Sequence, residues 1–336
     1  MSGRKSCDDT KKGLVRKHPV LDKAPHMKNL QDMIDAGLSV KSYRGIDCVM
    51  LWRITPYLEE LQNLVGMDEL KHTIFLQVSY YMQGFHKRNS KNEYMHTVIY
   101  GPPGSGKTTV AQIVANIYKE LGILSATGKF KIARREDFIA GYLGQTASKT
   151  AKLLASCIGG VLFIDEAYAL APGKEDSDSF SKEAIDTLNA FLSEHSHEFC
   201  CILAGYEEAI NTCLFGTNAG LRSRFPWIHR IGSYKAEDLF EMFKRECTLI
   251  DWELLPEGNK VIELFKNNID IFPNTGRDVE NFITKVKMEH ALRLIGGGEG
   301  ERFKLTMDDL NLGMKALRTS FPEINIEDLP PQGMYM

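Results

Sequence analysis

Nowhere in the 336 residues does an apolar run approach the roughly 18 positions that a membrane-crossing helix needs. The opening MSGRKSCDDTKKG also lacks the apolar core of a secretory leader. Paired metal-binding cysteines are missing too. Cys7, Cys48, Cys157, Cys200, Cys201, Cys213 and Cys247 are scattered, odd in number and without a CxxC. That pattern suits reduced thiols better than disulfides or zinc, so a cytoplasmic setting is expected. His195 and His197 form an HxH with no second ligand pair at metal spacing, and they read as a solvated helix end. There is no excess of basic charge: 41 Lys and Arg stand against 44 Asp and Glu, for a net charge of -3. This excludes a protein that is basic overall and coats nucleic acid, but leaves a local basic patch open. No internal repeat is found.

What is present is ordinary globular composition, 43% hydrophobic and 25% charged, in a length that allows one large domain or two modest ones. The first 28 residues carry eight Lys or Arg against three Asp, a net +5. A loosely docked or disordered tail is the expectation; a nuclear-targeting or nucleic-acid arm is the alternative. From about Leu58 the texture becomes helical. Short apolar runs at Thr97–Tyr100, Val161–Ile164, Phe199–Ala204 and Trp227–Ile231 then read as strands. Between the first two, Val110, Ile113, Val114, Ile117, Tyr118 and Leu121 fall at helical spacing. Alternating strands and helices predict an α/β fold with a parallel sheet and right-handed crossovers.

Beyond Gly232 the strand signal nearly vanishes. Residues 236–250, 256–268, 277–294 and 307–318 read as helices, the last capped by Thr306 with Asp309. The expected division is therefore an N-terminal extension at 1–57, partly disordered, an α/β nucleotide-binding domain at 58–232, a helical domain at 233–320 and a tail at 321–336.

The segment Gly101-Pro102-Pro103-Gly104-Ser105-Gly106-Lys107-Thr108-Thr109 follows a strand and opens a helix. Its glycines let the backbone curl so that successive N–H groups face an anion, and the helix adds its positive end. Lys107 suits the β- and γ-phosphates of ATP, and the Thr108 hydroxyl suits Mg²⁺. With ordinary residue frequencies the four fixed positions arise by accident in about one chain of this length per hundred, before strand and helix context is required. The motif therefore outweighs the reading as a chance glycine-rich turn.

In VLFIDEAYAL a buried strand ends in two carboxylates, where open α/β sheets bind ligands. Asp165 would hold the metal ion, and Glu166 would orient and deprotonate the attacking water. Alone, Asp-Glu would read as a solvated strand end. Beside the phosphate loop it points to hydrolysis, whereas a single Asp would equally fit a kinase.

With these motifs placed, the sequence resembles the AAA+ ATPases, in the group containing the red-type rubisco activase CbbX and stage V sporulation protein K. The likeness runs from about Leu58 to Leu317 through LVGMDELK, GPPGSGKTTVAQIVANIY, AGYLGQTASKT, GGVLFIDEAYAL, EAIDTL, ILAGY, NAGLRSRF and NTGRDVEN. It implies a P-loop AAA+ core with a parallel sheet flanked by helices and a small helical lid. It further implies that Val65 and Gly66 line the adenine pocket and that Arg277 is the lid's sensor arginine. Arg224, with Arg222 as the alternative, would be an arginine finger serving a neighbouring subunit, so a homo-oligomeric, hexameric ring is implied. Tyr142-Leu143-Gly144 matches the pore loop that grips a polypeptide. Two departures stand out: ILAGY carries no Asn or Thr at the sensor 1 position, and residues 1–57 match nothing in the group, so rubisco activation is not carried over.

The leading expectation is a ring ATPase that remodels or threads a protein substrate through its pore. One alternative is an AAA+ machine acting on nucleic acid, in the manner of clamp loaders or helicases. Another is an ATP-gated scaffold with negligible turnover, against which the presence of both Glu166 and Arg224 argues.

Overall fold

The run TVIY at Thr97–Tyr100 (β1) is buried at all four positions, as a strand covered on both faces must be. In the computed structural model, which describes residues 20–21, 25–39, 42–43, 45–87, 94–142, 144–172, 179–295 and 301–320, β1 is one of five parallel strands. The others are Phe130–Ala133 (β2), Val161–Ile164 (β3), Cys200–Gly205 (β4) and Trp227–Arg230 (β5), in the order β2-β3-β4-β1-β5. Successive side chains of a strand point to opposite faces. Accordingly Ile99, Val161, Phe163, Cys200 and Ile202 join one core, while Val98, Tyr100, Leu162, Ile164, Cys201 and Leu203 join the other.

β2 was not anticipated. It is an edge strand, Ile132 is 52% exposed, and the neighbouring Lys129, Lys131, Arg134 and Arg135 hide its apolar content.

The N-terminal region is corrected more substantially. Helices Leu30–Leu38 (α1) and Cys48–Asn63 (α2) pack against each other, and α2 lies on the helix that follows the phosphate loop. The division placed between 57 and 58 falls inside α2, whose Leu51, Ile54, Leu58 and Leu61 are all buried. Pro56 sits within that helix. An interior proline costs about 3 kcal/mol, whereas each fully buried leucine or isoleucine returns about 1.5–3 kcal/mol, so burial wins. Residues 1–19, holding most of the basic run, and the tail at 321–336 lie outside the described residues.

Asp68–Met82 (α3) leads to the sheet, Lys107–Glu120 (α4) follows the phosphate loop, and Thr146–Ala155 (α5) and Ser179–Glu194 (α6) cover the opposite face. After β5 come Ala236–Leu249 (α7), Gly258–Lys266 (α8), Gly276–Ile295 (α9) and Met307–Arg318 (α10), close to the predicted spans. Phe243, Phe265, Phe272 and Phe282 form their shared aromatic centre.

The expected cap at Thr306 is present, and Asp309 does more than cap. Its fully buried carboxylate accepts from the Thr306 amide and hydroxyl, from Arg293 at 2.8 and 2.9 Å, and contacts His290 at 3.1 Å. Burial alone would push this carboxyl up, but the Arg293, Thr306 and His290 bonds outweigh it and hold the group well below the usual carboxylate range. Removing one partner of such a buried pair costs roughly 3–5 kcal/mol, so Asp309→Ala is expected to destabilise the helical C-terminal region by about that amount at pH 7. A depressed folded-state pKa gives stability that is present above the unfolded carboxyl pKa of about 4 and lost as pH falls below it. Urea titrations at pH 7 and pH 3 should therefore show the wild-type advantage over Asp309→Ala shrinking in acid; an unchanged gap would refute the assignment.

Candidate functional site

Strand β1 delivers the chain into the loop 101–106, which is tied to its surroundings by backbone bonds. The Gly101 amide donates to the Gly205 carbonyl at 3.1 Å, joining the loop to the end of β4. Ser105 Oγ donates to the Pro102 carbonyl at 2.7 Å. Gly104 and Gly106 have φ values of 70° and 86°, the left-handed region that glycine enters without penalty. Gly104 also permits a close approach: a Cβ there would lie 2.6 Å from the Asn274 carbonyl and 3.1 Å from Arg277 Cβ. The loop therefore nests against the start of α9, which brings Arg277 to the phosphate loop.

Lys107 opens α4 and is only 6% exposed. Its ammonium donates to the carbonyls of Gly101 at 3.1 Å and Pro102 at 2.8 Å. Burial lowers its pKa, while the nearby Glu166 and Asp165 carboxylates oppose that shift and Arg277 adds to it. Lys107 thus shares one electrostatic neighbourhood with Asp165, Glu166 and Arg277. Thr108 and Thr109 follow in the first turn of α4, half-buried and exposed respectively. A curled backbone at the start of a 14-residue helix, with a buried ammonium beside it, fits a phosphate chain.

Strand β3 ends at Ile164, and Asp165 and Glu166 follow, both half-buried. Asp165 Oδ1 accepts from the Glu166 amide at 3.1 Å. Glu166 takes a left-handed conformation with φ 49°, a strained turn directly after the strand. Strand β4 lies between β1 and β3, so its end stands between loop and acids. There Gly205 offers no side chain, and no residue is assigned to sensor 1.

Purine-sized space opens beside the loop. A cleft of about 230 Å³ lies between residues 63–67, the loop and the helical C-terminal region, with Val65, Met67, Ser105, Tyr234, Met242 and Val279 among its walls. Gly66 adjoins it, since a Cβ there would sit 3.3 Å from both Tyr234 and Asp238. The Tyr234 hydroxyl donates to the Ser105 carbonyl at 3.3 Å, tying the segment after β5 to the loop, and Arg245 donates to the Asn63 carbonyl. Sequence reasoning missed Tyr234 and Arg245, which only the chain's return brings to the cleft. It also missed Tyr168, whose hydroxyl donates to the Glu166 carboxylate; its place two residues beyond Glu166 across a turn was the available signal.

Two sets of residues lie apart from this cluster. Arg224 donates to Ser193 Oγ at 3.1 Å and to Gly220 and Ser223, and its guanidinium lies 6.0 Å from the Tyr94 ring. Ser193 ends α6 and Tyr94 precedes β1, so Arg224 sits at the foot of the sheet. At about 3.3 Å per residue, Tyr94 and Gly101 are on the order of 20 Å apart. Arg222 instead donates to the Phe225 carbonyl and lies over the Phe215 ring. Tyr142 is 74% exposed, and Gly144 has φ 77°. Leu143 lies outside the described residues. The loop's ends are braced: the Ala140 amide donates to Thr146 Oγ1, and the Lys149 ammonium donates to the Glu136 and Ile139 carbonyls.

Comparison with known proteins accords with this geometry. The model of the ATPase family associated with various cellular activities (AAA) matches residues 97–225, from β1 to the residue after Arg224. The chain is 38% identical over 273 residues to the putative cfxQ-like protein R730 of Acanthamoeba polyphaga mimivirus, covering 80% of this chain and 66% of that one. It is 36% identical over 253 residues to stage V sporulation protein K of Bacillus subtilis strain 168, covering 72% and 76% respectively. The fold matches a Thermotoga maritima RuvB P216G mutant with a TM-score of 0.51 at 20% identity, over 77% of this chain and 72% of that one. The phosphate loop, the acid pair at the end of β3 and these relatives lead to one assignment: the chain belongs to the AAA+ family of ATPases, with stage V sporulation protein K among its relatives, and its chemistry is the hydrolysis of ATP.

Proposed function

We propose that this chain is a subunit of a hexameric ring that uses ATP hydrolysis to pull a polypeptide past Tyr142. The carrying observation is that Tyr142, an exposed aromatic on a loop braced at both ends, accompanies a site where Lys107 lies near the Asp165 and Glu166 carboxylates. A solvated aromatic ring can grip varied chains through apolar and stacking contact. Lys149, the basic residue near that loop, has its ammonium engaged by two carbonyls, which favours a protein over a nucleic acid as the threaded polymer.

In this reading Val65 and Gly66 border the base, and loop 101–106 with Lys107 and Arg277 holds the phosphates. The Thr108 hydroxyl and the Asp165 carboxylate are the hard oxygen donors that suit Mg²⁺, which would neutralise phosphate charge. Glu166 takes a proton from a water whose oxygen bonds the γ-phosphorus as the bond to the β–γ bridging oxygen breaks. Arg224 would stabilise that charge in the adjoining subunit.

The test uses ATP turnover with and without a reduced, carboxymethylated, permanently unfolded protein. Wild type should be stimulated, and Tyr142→Ala should keep basal turnover within about twofold while losing the stimulation. Stimulation by duplex or single-stranded DNA but not by the unfolded protein would overturn the proposal in favour of a nucleic-acid motor.

A further inference from the structure

The end of β4 supplies no polar side chain to the hydrolytic centre, yet the space is filled. The Tyr168 ring lies against Gly205, where a Cβ would meet Tyr168 Cδ1 at 3.1 Å and Cε1 at 3.3 Å. Any side chain at 205 would therefore displace that ring. Gly205 is in turn bonded to the first amide of the phosphate loop. From this position the Tyr168 hydroxyl donates to the Glu166 carboxylate, and the ring also adjoins that of Tyr206, with centroids 6.1 Å apart.

Glu166 needs such a partner. Its backbone lies in the left-handed region directly after the strand, and the residue is only half-buried. A glutamate in that setting has several rotamers of similar energy, and only one of them points at an in-line water. A bond from Tyr168 to one carboxylate oxygen fixes the plane of the group and leaves the other oxygen to accept a proton. The phenol itself stays protonated at working pH, because the bond to Glu166 first, and burial second, push its pKa up to about 12.

We infer that Tyr168 is the positioning residue of the hydrolytic step: it occupies the place left by the side-chain-free Gly205 and orients the Glu166 carboxylate from there. Because Gly205 also holds the loop, the ring links the position of the base to that of the phosphates. This rests on Glu166 being the base.

The test is Tyr168→Phe, which keeps the ring against Gly205 and removes only the hydroxyl. A hydrogen bond to a charged group corresponds to about a ten- to hundredfold change, and the loss should fall on kcat, with KM for ATP and the melting temperature unchanged. A second readout is specific to this bond. It is read in the double variant, where the hydroxyl has no base left to orient. Lys107 and Asp165, which face the same carboxylate, are untouched by the change. In a Glu166→Gln background, Tyr168→Phe should have little further effect, since residues acting as a unit are not additive. Wild-type kcat in Tyr168→Phe, a raised kcat, or a loss confined to KM would each overturn the inference. If Glu166→Gln itself turns over like wild type, the base assignment falls and the inference with it. If Glu166→Gln is inactive and Tyr168→Phe is normal, only the inference falls.

Discussion

Arg224→Ala is expected to lower ATP turnover by about a thousandfold while leaving ATP affinity within about twofold of wild type, the scale of effect that a supplied arginine has on phosphoryl transfer. The affinity should hold because Arg224 is absent from its own nucleotide cleft. Its guanidinium is held by Ser193, Gly220 and Ser223 at the foot of the sheet, the end opposite the phosphate loop. A cation so fixed is pre-organised to meet charge on another molecule, and Arg224→Lys should recover little because a lysine lacks the planar fork. Mixing gives the decisive measurement. Arg224→Ala subunits keep Glu166, and Glu166→Gln subunits keep Arg224, so in the proposed ring a mixture would contain interfaces where an intact arginine meets an intact base. Each variant alone should be nearly inactive and the mixture partly active. No recovery on mixing, with both variants assembling, would rule out action in trans. Full loss in Arg222→Ala beside a normal Arg224→Ala would pass the role to Arg222, which in this structure is engaged with the Phe225 carbonyl and the Phe215 ring.

How far such residues can be found from sequence depends on whether their neighbours are local. The phosphate loop is contiguous, so its glycines, Lys107 and Thr108 stand out at once, and Asp165 and Glu166 at the end of β3 take their meaning only beside it, since an acid pair alone reads as a solvated strand end. β2 does not stand out, because an edge strand needs burial on one face only and its charged neighbours mask the run. Helix α2 was obscured by Pro56, and only the tertiary burial of Leu51, Ile54, Leu58 and Leu61 shows why the helix continues through it.

Roles such as those of Arg277 and Val65 came from resemblance. The structure supplies physical reasons for their location: Gly104 lacks the Cβ that would strike Asn274, and the cleft wall includes Val65. Tyr168 and Tyr234 had no signal of comparable strength. Each is an aromatic residue whose ring reads as core, and only the hydroxyl's partner, a carboxylate in one case and the Ser105 carbonyl in the other, distinguishes it.

Glu166→Gln should separate binding from chemistry more cleanly than any change in the phosphate loop. The amide has the shape of the carboxylate and still offers an oxygen to the Tyr168 hydroxyl, so local packing is retained. It cannot accept the proton of the attacking water. Loss of a general base costs about 10²–10⁴ in rate, and kcat should fall within that range. Lys107 is unchanged and remains buried against the loop, so ATP should bind as in wild type or appear tighter, because bound nucleotide is no longer consumed. The protein should then remain in its ATP-bound assembly, visible as a persistent high-mass species on size exclusion in ATP but not in ADP. A single-turnover measurement with ATP in deficit checks that the block is in the chemical step. Equal and near-zero turnover in wild type and Glu166→Gln would mean that the conformational work comes from binding alone. In that case the side chains gathered around β3 and β4 would serve assembly, and neither Glu166 nor Arg224 would have hydrolysis to support.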